Sequence, residues 1–103
     1  EAQYAAALES YAQLAMRKGD GPAAERYASR AVAILEAAGL TDQIEYGWVA
    51  STEARILRAD GKCEAAQAMF VRAASGMKAA QVAETQHDYA NILADIKKGC
   101  PSL

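Results

Sequence analysis

A chain of 103 residues, 52% of them apolar, with 11 basic and 13 acidic side chains and a net charge of −2, suits one domain or a stretch of a repeat array. The charges are interspersed, so no basic block offers a nucleic-acid footprint, and no apolar run approaches the ~20 residues that span a bilayer. Much of the apolar share is alanine, with one Trp and one Phe, which favours close helix-on-helix packing over a core of large side chains.

Residues 3–18 carry Tyr4, Ala7, Leu8, Tyr11, Leu14 and Ala15 at spacings of three and four, one face of a first helix. The segment KGDGP then stops it. Pro22 suits the first turn of a second helix, where its missing N–H costs nothing. Residues 22–38 continue with Ala24, Tyr27, Ala28, Ala31, Ile34 and Leu35. Gly39 reads as the stop and Thr41 as the N-cap of a third helix.

That third helix, about residues 42–60, shows Ile44, Trp48, Val49, Thr52, Ile56 and Leu57 and ends at Gly61. A fourth, from Lys62, shows Ala66, Met69, Phe70 and Ala73; Gly76 weakens it, and no proline fixes its end. The fifth, about residues 84–98, carries Tyr89, Ile92, Leu93 and Ile96 and stops at KKGCP, with glycine at C′ and proline beyond. No segment alternates with period two, so the expected class is all-α. The chain shows no signal-peptide pattern, and its opening Glu1 points to a processed or excised chain.

GDGPAAERYASRAV, from Gly19, and GKCEAAQAMFVRAA, from Gly61, are near-duplicates 42 positions apart. The same offset pairs Tyr4 with Tyr46, Ala24 with Ala66, Arg30 with Arg72 and Ala31 with Ala73. A period of that length means stacked helix pairs: a first repeat at about 4–45, a second at about 46–87, and a terminal helix at about 84–98 that covers the second pair's open edge.

These residues resemble the tetratricopeptide repeat family, whose helix-turn-helix unit places a small residue in helix A, a glycine at the A–B turn and small residues around a bulky one in helix B. With Gly19 and Gly61 as turn glycines, Ala12 and Ala54 take the helix-A position, Ala24 and Ala66 the first helix-B position, and Ala31 and Ala73 the second. Tyr27-Ala28 and Met69-Phe70 straddle the bulky position. The resemblance covers essentially the whole chain. It departs from the family pattern in its longer period, the absent helix-ending proline, a truncated third unit, and Glu53 where a large apolar residue is usual. It implies an alpha-alpha superhelix, with Ala24, Ala31, Ala66 and Ala73 buried at helix crossings.

The chemical signals are sparse. Glu84 and His87 spell E-x-x-H, but di-iron bundles need two such motifs and this chain has one histidine. A phosphotransfer histidine usually has lysine and glycine one turn on, where Ala90 and Asn91 stand. No nucleophile–histidine arrangement and no phosphate-binding loop is supported, since GDGP lacks the following Lys-Ser/Thr and a preceding strand. An enzyme is not expected, and neither is a cofactor or a metal.

Cys63 and Cys100 each closely follow a turn glycine, so they are either unrelated loop residues or neighbours in a disulfide. A bridge closing about 37 residues would stabilise by roughly 3–4 kcal/mol and favour a periplasmic or secreted setting; the cytoplasm is the default without it.

The resemblance also implies a function. Tetratricopeptide arrays present the inner faces of their A helices as a concave groove for a peptide or protein. Mapped through the turn glycines, the groove candidates are Glu9, Gln13 and Arg17 from the first A helix and Trp48, Ser51, Thr52, Arg55 and Arg58 from the second. Arg17, Arg55 and Arg58 would form a basic stripe suited to an acidic or C-terminal peptide, or they are solvated surface charges. Trp48 is either an anchor or core filling. Glu9 and Gln13 stand where a carboxylate-clamp repeat has Lys and Asn, so that subtype is not matched. The alternative to a peptide-binding adaptor is a structural segment of a longer array, or self-association.

Overall fold

The structure, a computed structural model, describes residues 2–101. Among them it contains five helices and no strand: α1 (Ala2–Arg17), α2 (Gly21–Ala37), α3 (Ile44–Ala59), α4 (Cys63–Ala79) and α5 (His87–Lys98). Each helix carries an apolar stripe that must be covered, because helix propensity alone holds a stretch this short only marginally in water. The internal repeat is carried into the backbone: α1 and α3 begin 42 residues apart, as do α2 and α4.

Three-residue turns join α1 to α2 and α3 to α4, folding each pair into a hairpin. The turns reverse at Gly19 and Gly61, with φ of 79° and 81°, a region that L side chains rarely enter. Asp20 caps α2 by accepting from the Ala23 N–H at 3.1 Å, with Pro22 in the first turn. Thr41 does not cap α3 as expected. The helix starts at Ile44, after Gln43, whose side chain makes no capping bond. Thr41 instead contributes its carbonyl to the α4 contact near Gly76.

The pairs then stack. Beyond the two hairpins, α2 packs on α3, α4 on α5, and α1 on α3. Ala12, Ala24, Ala31, Ala54, Ala66 and Ala73 are all 0% exposed, so the small positions of both repeats lie at crossings where a larger side chain would hold the helices apart. Phe70, Leu35, Met77 and Ile92 fill the space between them. A second, smaller cluster forms around the first turn, where Ile56 of α3 packs among Ala12, Ala15, Ala24 and Ala28.

Gly76 does not end α4, which runs on to Ala79. Its missing side chain makes room for the Tyr46 ring of α3. Gly39 has φ of 71° beyond α2, and the position 42 residues later is Gln81, held at φ 62°.

Candidate functional site

The A-type helices α1, α3 and α5 share one side of the stack and enclose an open groove. Trp48, Ser51, Thr52 and Arg55 succeed one another at helical spacing along α3 and form its floor, flanked by Glu9 and Gln13 of α1 and by Asp88 and Asn91 of α5. A contiguous hollow runs toward the helix ends, where Met16 and Ile56 make an apolar base between Arg17 and Arg55.

Hydrogen bonds fix this floor. The hydroxyl of Thr52 donates to Glu9 Oε2 at 2.6 Å, tying α3 to α1, and Arg55 Nη2 donates to Thr52 Oγ1 at 3.3 Å. Ser51 donates to the Trp48 carbonyl at 2.9 Å, so its hydroxyl is spent on its own helix. Ser51 and Thr52 are almost fully buried and act as floor rather than as reaching contacts. The Trp48 indole N–H donates to Asp88 Oδ2 at 3.0 Å, tying α3 to α5, while the side chain stays 40% exposed. Trp48 is thus not core filling. One edge of its ring is pinned and part of the side chain stays open to solvent.

Seven of the eight candidate residues therefore line one continuous groove: Glu9, Gln13, Arg17, Trp48, Ser51, Thr52 and Arg55. Arg58 does not join them. Its Nη1 donates to Asp95 Oδ1 of α5 at 2.9 Å, and its guanidinium carbon lies 5.0 Å from the centroid of the Phe70 ring. Arg58 lies a turn beyond Arg55 on α3, and there its guanidinium is taken up by Asp95 and the Phe70 ring at the α4–α5 junction. The basic stripe expected from Arg17, Arg55 and Arg58 is therefore two arginines long.

Asp88 and Asn91 are not among the residues that the sequence singles out, because the fifth helix reads there only as the cover of the second pair's open edge. The signal was available: α5 follows α4 as α3 follows α2, so it is a third A-type helix with a groove face of its own. Its two residues change the electrostatics. Asp88 and Glu9 make one end of the groove acidic, and Arg17 and Arg55 make the other basic.

His87 stands exposed in the first turn of α5, its ring beside the Asn91 amide at 3.4 Å. Cys63, at the start of α4, and Cys100, just past α5, are joined by a disulfide with a Cα–Cα distance of 5.7 Å. With the Arg58–Asp95 pair and the bond from the Gln67 amide to the Asp95 carbonyl at 3.2 Å, it fastens α5, and hence the Asp88 side of the groove, to the second repeat.

On the opposite side of α3, Tyr46 donates to Glu36 Oε2 of α2 at 2.6 Å, and Arg72 of α4 donates to the same oxygen at 3.3 Å. Burial pushes the Tyr46 hydroxyl well above the usual tyrosine range, and the Glu36 carboxylate adds to that. Lys62 pairs with Glu25 at 2.8 Å where the two repeats meet, and that hydrogen bond holds the Glu25 carboxyl below its ordinary value.

A family model described as Tetratricopeptide repeat matches residues 3–79, nearly all of α1 through α4. No curated protein and no solved structure matches the chain.

Proposed function

The chain belongs to the tetratricopeptide repeat family, and on that premise we propose that it is a non-catalytic adaptor that takes a peptide segment of a protein partner along the groove of α1, α3 and α5. Repeats of this family are protein–protein interaction modules in general. What supports the groove as the binding surface is the convergence there of side chains from three A-type helices over a hydrogen-bonded floor.

The groove's chemistry describes its occupant. Arg17 and Arg55 flank an apolar base of Met16 and Ile56, a seat for a carboxylate carried next to an apolar side chain. At the other end Glu9 and Asp88 offer acceptors, which suit amide or cationic donors on the same segment. Trp48 stands at the acidic end beside Asp88 and stays partly exposed, the residue type that most often anchors a bound segment. The partner is therefore a peptide acidic at one end, either through Asp/Glu or through its own C-terminus. No cofactor enters this scheme.

Titration of the chain against fluorescent peptides that differ only in end charge tests it. Peptides with a carboxylate at one end should bind best, and amidation or Glu→Gln should weaken them, as should Trp48→Ala. Selection of uncharged or wholly basic peptides, with affinity indifferent to Trp48→Ala, would overturn the assignment.

A further inference from the structure

Six large apolar side chains stay exposed among the described residues, and four of them, Tyr4, Tyr11, Leu14 and Tyr27, belong to the first helix pair. The rings of Tyr11 and Tyr27 meet with centroids 5.7 Å apart, and together with Leu14 and Ala23 they line a shallow hollow. Gathered apolar surface of this kind marks an interaction site more often than scattered exposure does.

The internal repeat shows what covers such a face. Adding 42 carries Tyr4, Tyr11 and Leu14 of α1 onto Tyr46, Glu53 and Ile56 of α3. All three of those turn toward α2: Tyr46 is bonded to Glu36, Glu53 faces Pro22 and Glu25, and Ile56 packs among Ala24 and Ala28. Thus α1 displays, uncovered, the surface with which α3 receives the helix before it.

A polar pair gives the face its selectivity. In the second repeat, Tyr46 and Arg72 both donate to one carboxylate oxygen of Glu36. Their counterparts 42 positions earlier are Tyr4 and Arg30, and the Arg30 guanidinium carbon lies 5.7 Å from the Tyr4 ring centroid. The phenol and the guanidinium are again side by side. Among the described residues no carboxylate bridges them as Glu36 bridges the later pair.

We propose that this face of α1 and α2 docks a helix of α2's kind: an alanine stripe against Tyr11, Leu14 and Tyr27, and a glutamate in its last turn bridging Tyr4 and Arg30. The occupant is the closing helix of a further helix-pair unit set ahead of α1. A second copy of the chain cannot supply it. Its α2 is already covered by α3, and its α4, covered by α5, carries Lys78 where α2 has Glu36. The face is independent of the groove, whose α1 side chains, Glu9 and Gln13, point elsewhere on the helix.

The test adds such a unit to the intact chain. Duplicating residues 1–42 ahead of residue 1 sets a second α2 against α1 in the register that α2 holds on α3, because α1 and α3 begin 42 residues apart. The longer chain should melt in one transition, followed by Trp48 fluorescence, with Tm higher by about 5 °C or more. Replacing the added unit's glutamate (the copy of Glu36) by Gln, or introducing Tyr4→Phe with Arg30→Gln in the original first repeat, should remove at least half of that gain. An unmoved Tm, an added unit that stays unfolded or melts separately, or a gain that survives both changes would each overturn the proposal. So would sedimentation of the unextended chain as a dimer that Tyr11→Glu abolishes, since a second copy would then occupy the face.

Discussion

Gly76 gives up its side chain to the ring of Tyr46: a Cβ at that position would meet Tyr46 Cδ2 at 2.9 Å and the Thr41 carbonyl oxygen at 3.3 Å. Neither neighbour yields easily, because the ring is held by the hydroxyl's bond to Glu36 and the other atom is backbone. Alanine would gain up to about 1 kcal/mol of helix propensity, but overpacking a crossing costs roughly 1–3 kcal/mol. Gly76→Ala is expected to destabilise by about 1–2 kcal/mol in a urea melt. At Gly47 the obstructing atoms belong to the flexible Met77 side chain, so Gly47→Ala should cost less.

Gln81 sits at φ 62°, where the first repeat uses Gly39 at φ 71°. A side chain in the left-handed region costs about 1 kcal/mol or more, and glycine gives back part of that through its greater freedom when unfolded. Gln81→Gly should therefore stabilise by roughly 0.5–1 kcal/mol, read as a rise in Tm. A fall would show that the Gln81 side chain makes a compensating contact.

The helices, their 42-residue register and the buried alanines were legible in the sequence because each depends on local spacing and turn glycines. Gly76 was not, since its role is set by Tyr46, thirty residues away in sequence. The groove was legible as a face of α3 but not in its limits. Arg58 and Arg55 differ by one short rotation, and which helix each meets depends on the pitch of the stack. Thr52 reads as a contact because nothing local shows that its hydroxyl goes to Glu9, 43 residues away, whereas the Ser51 bond to the Trp48 carbonyl three residues back is a local habit of helical serines.

Glu53 stands half-buried between the repeats, where a large apolar residue would fit the family pattern. Burial pushes its carboxyl above 4.5, with the Glu36 charge adding to this and Arg72 opposing it. An acid whose folded pKa lies above its unfolded one takes up a proton on folding between the two values. Stability consequently falls as pH rises through a window that opens near 4.5 and closes above the folded value. Glu53→Gln should melt higher than the parent at pH 7 and alongside it at pH 4. A difference independent of pH would assign the effect to packing.

The Cys63–Cys100 bridge closes a loop of sequence separation 37. Constraining a loop of that length stabilises by about 3–4 kcal/mol in the chain-entropy picture. Reduction, or Cys63→Ser with Cys100→Ser, should lower Tm clearly while α5 stays docked through Tyr89, Ile92 and the Arg58–Asp95 pair. Thiol titration of the oxidised monomer should find no reactive group. Finding two would remove the bridge as a contributor to stability.

Arg55 and Arg58 separate binding from stability. Arg55 is exposed at the basic end of the groove, and its one side-chain bond, to Thr52, is long at 3.3 Å. A ligand carboxylate can accept from the guanidinium without displacing anything in the fold, and the contact, being open to water, should weaken with salt. Arg55→Glu places a like charge at that seat and should lower affinity for a carboxylate-bearing peptide about tenfold or more, with Tm nearly unchanged. Arg58 is committed to Asp95 and to the Phe70 ring. Arg58→Glu sets two carboxylates against each other at the α5 junction, so its first effect should be on the melt. Its effect on binding should follow only as far as α5, with Asp88, loosens. Peptide titrations at two salt concentrations, run beside thermal melts of both variants, check the pair. If Arg55→Glu leaves affinity and its salt dependence untouched, the carboxylate seat is not at Arg17 and Arg55. If Arg58→Glu weakens binding with no change in Tm, Arg58 belongs to the groove after all.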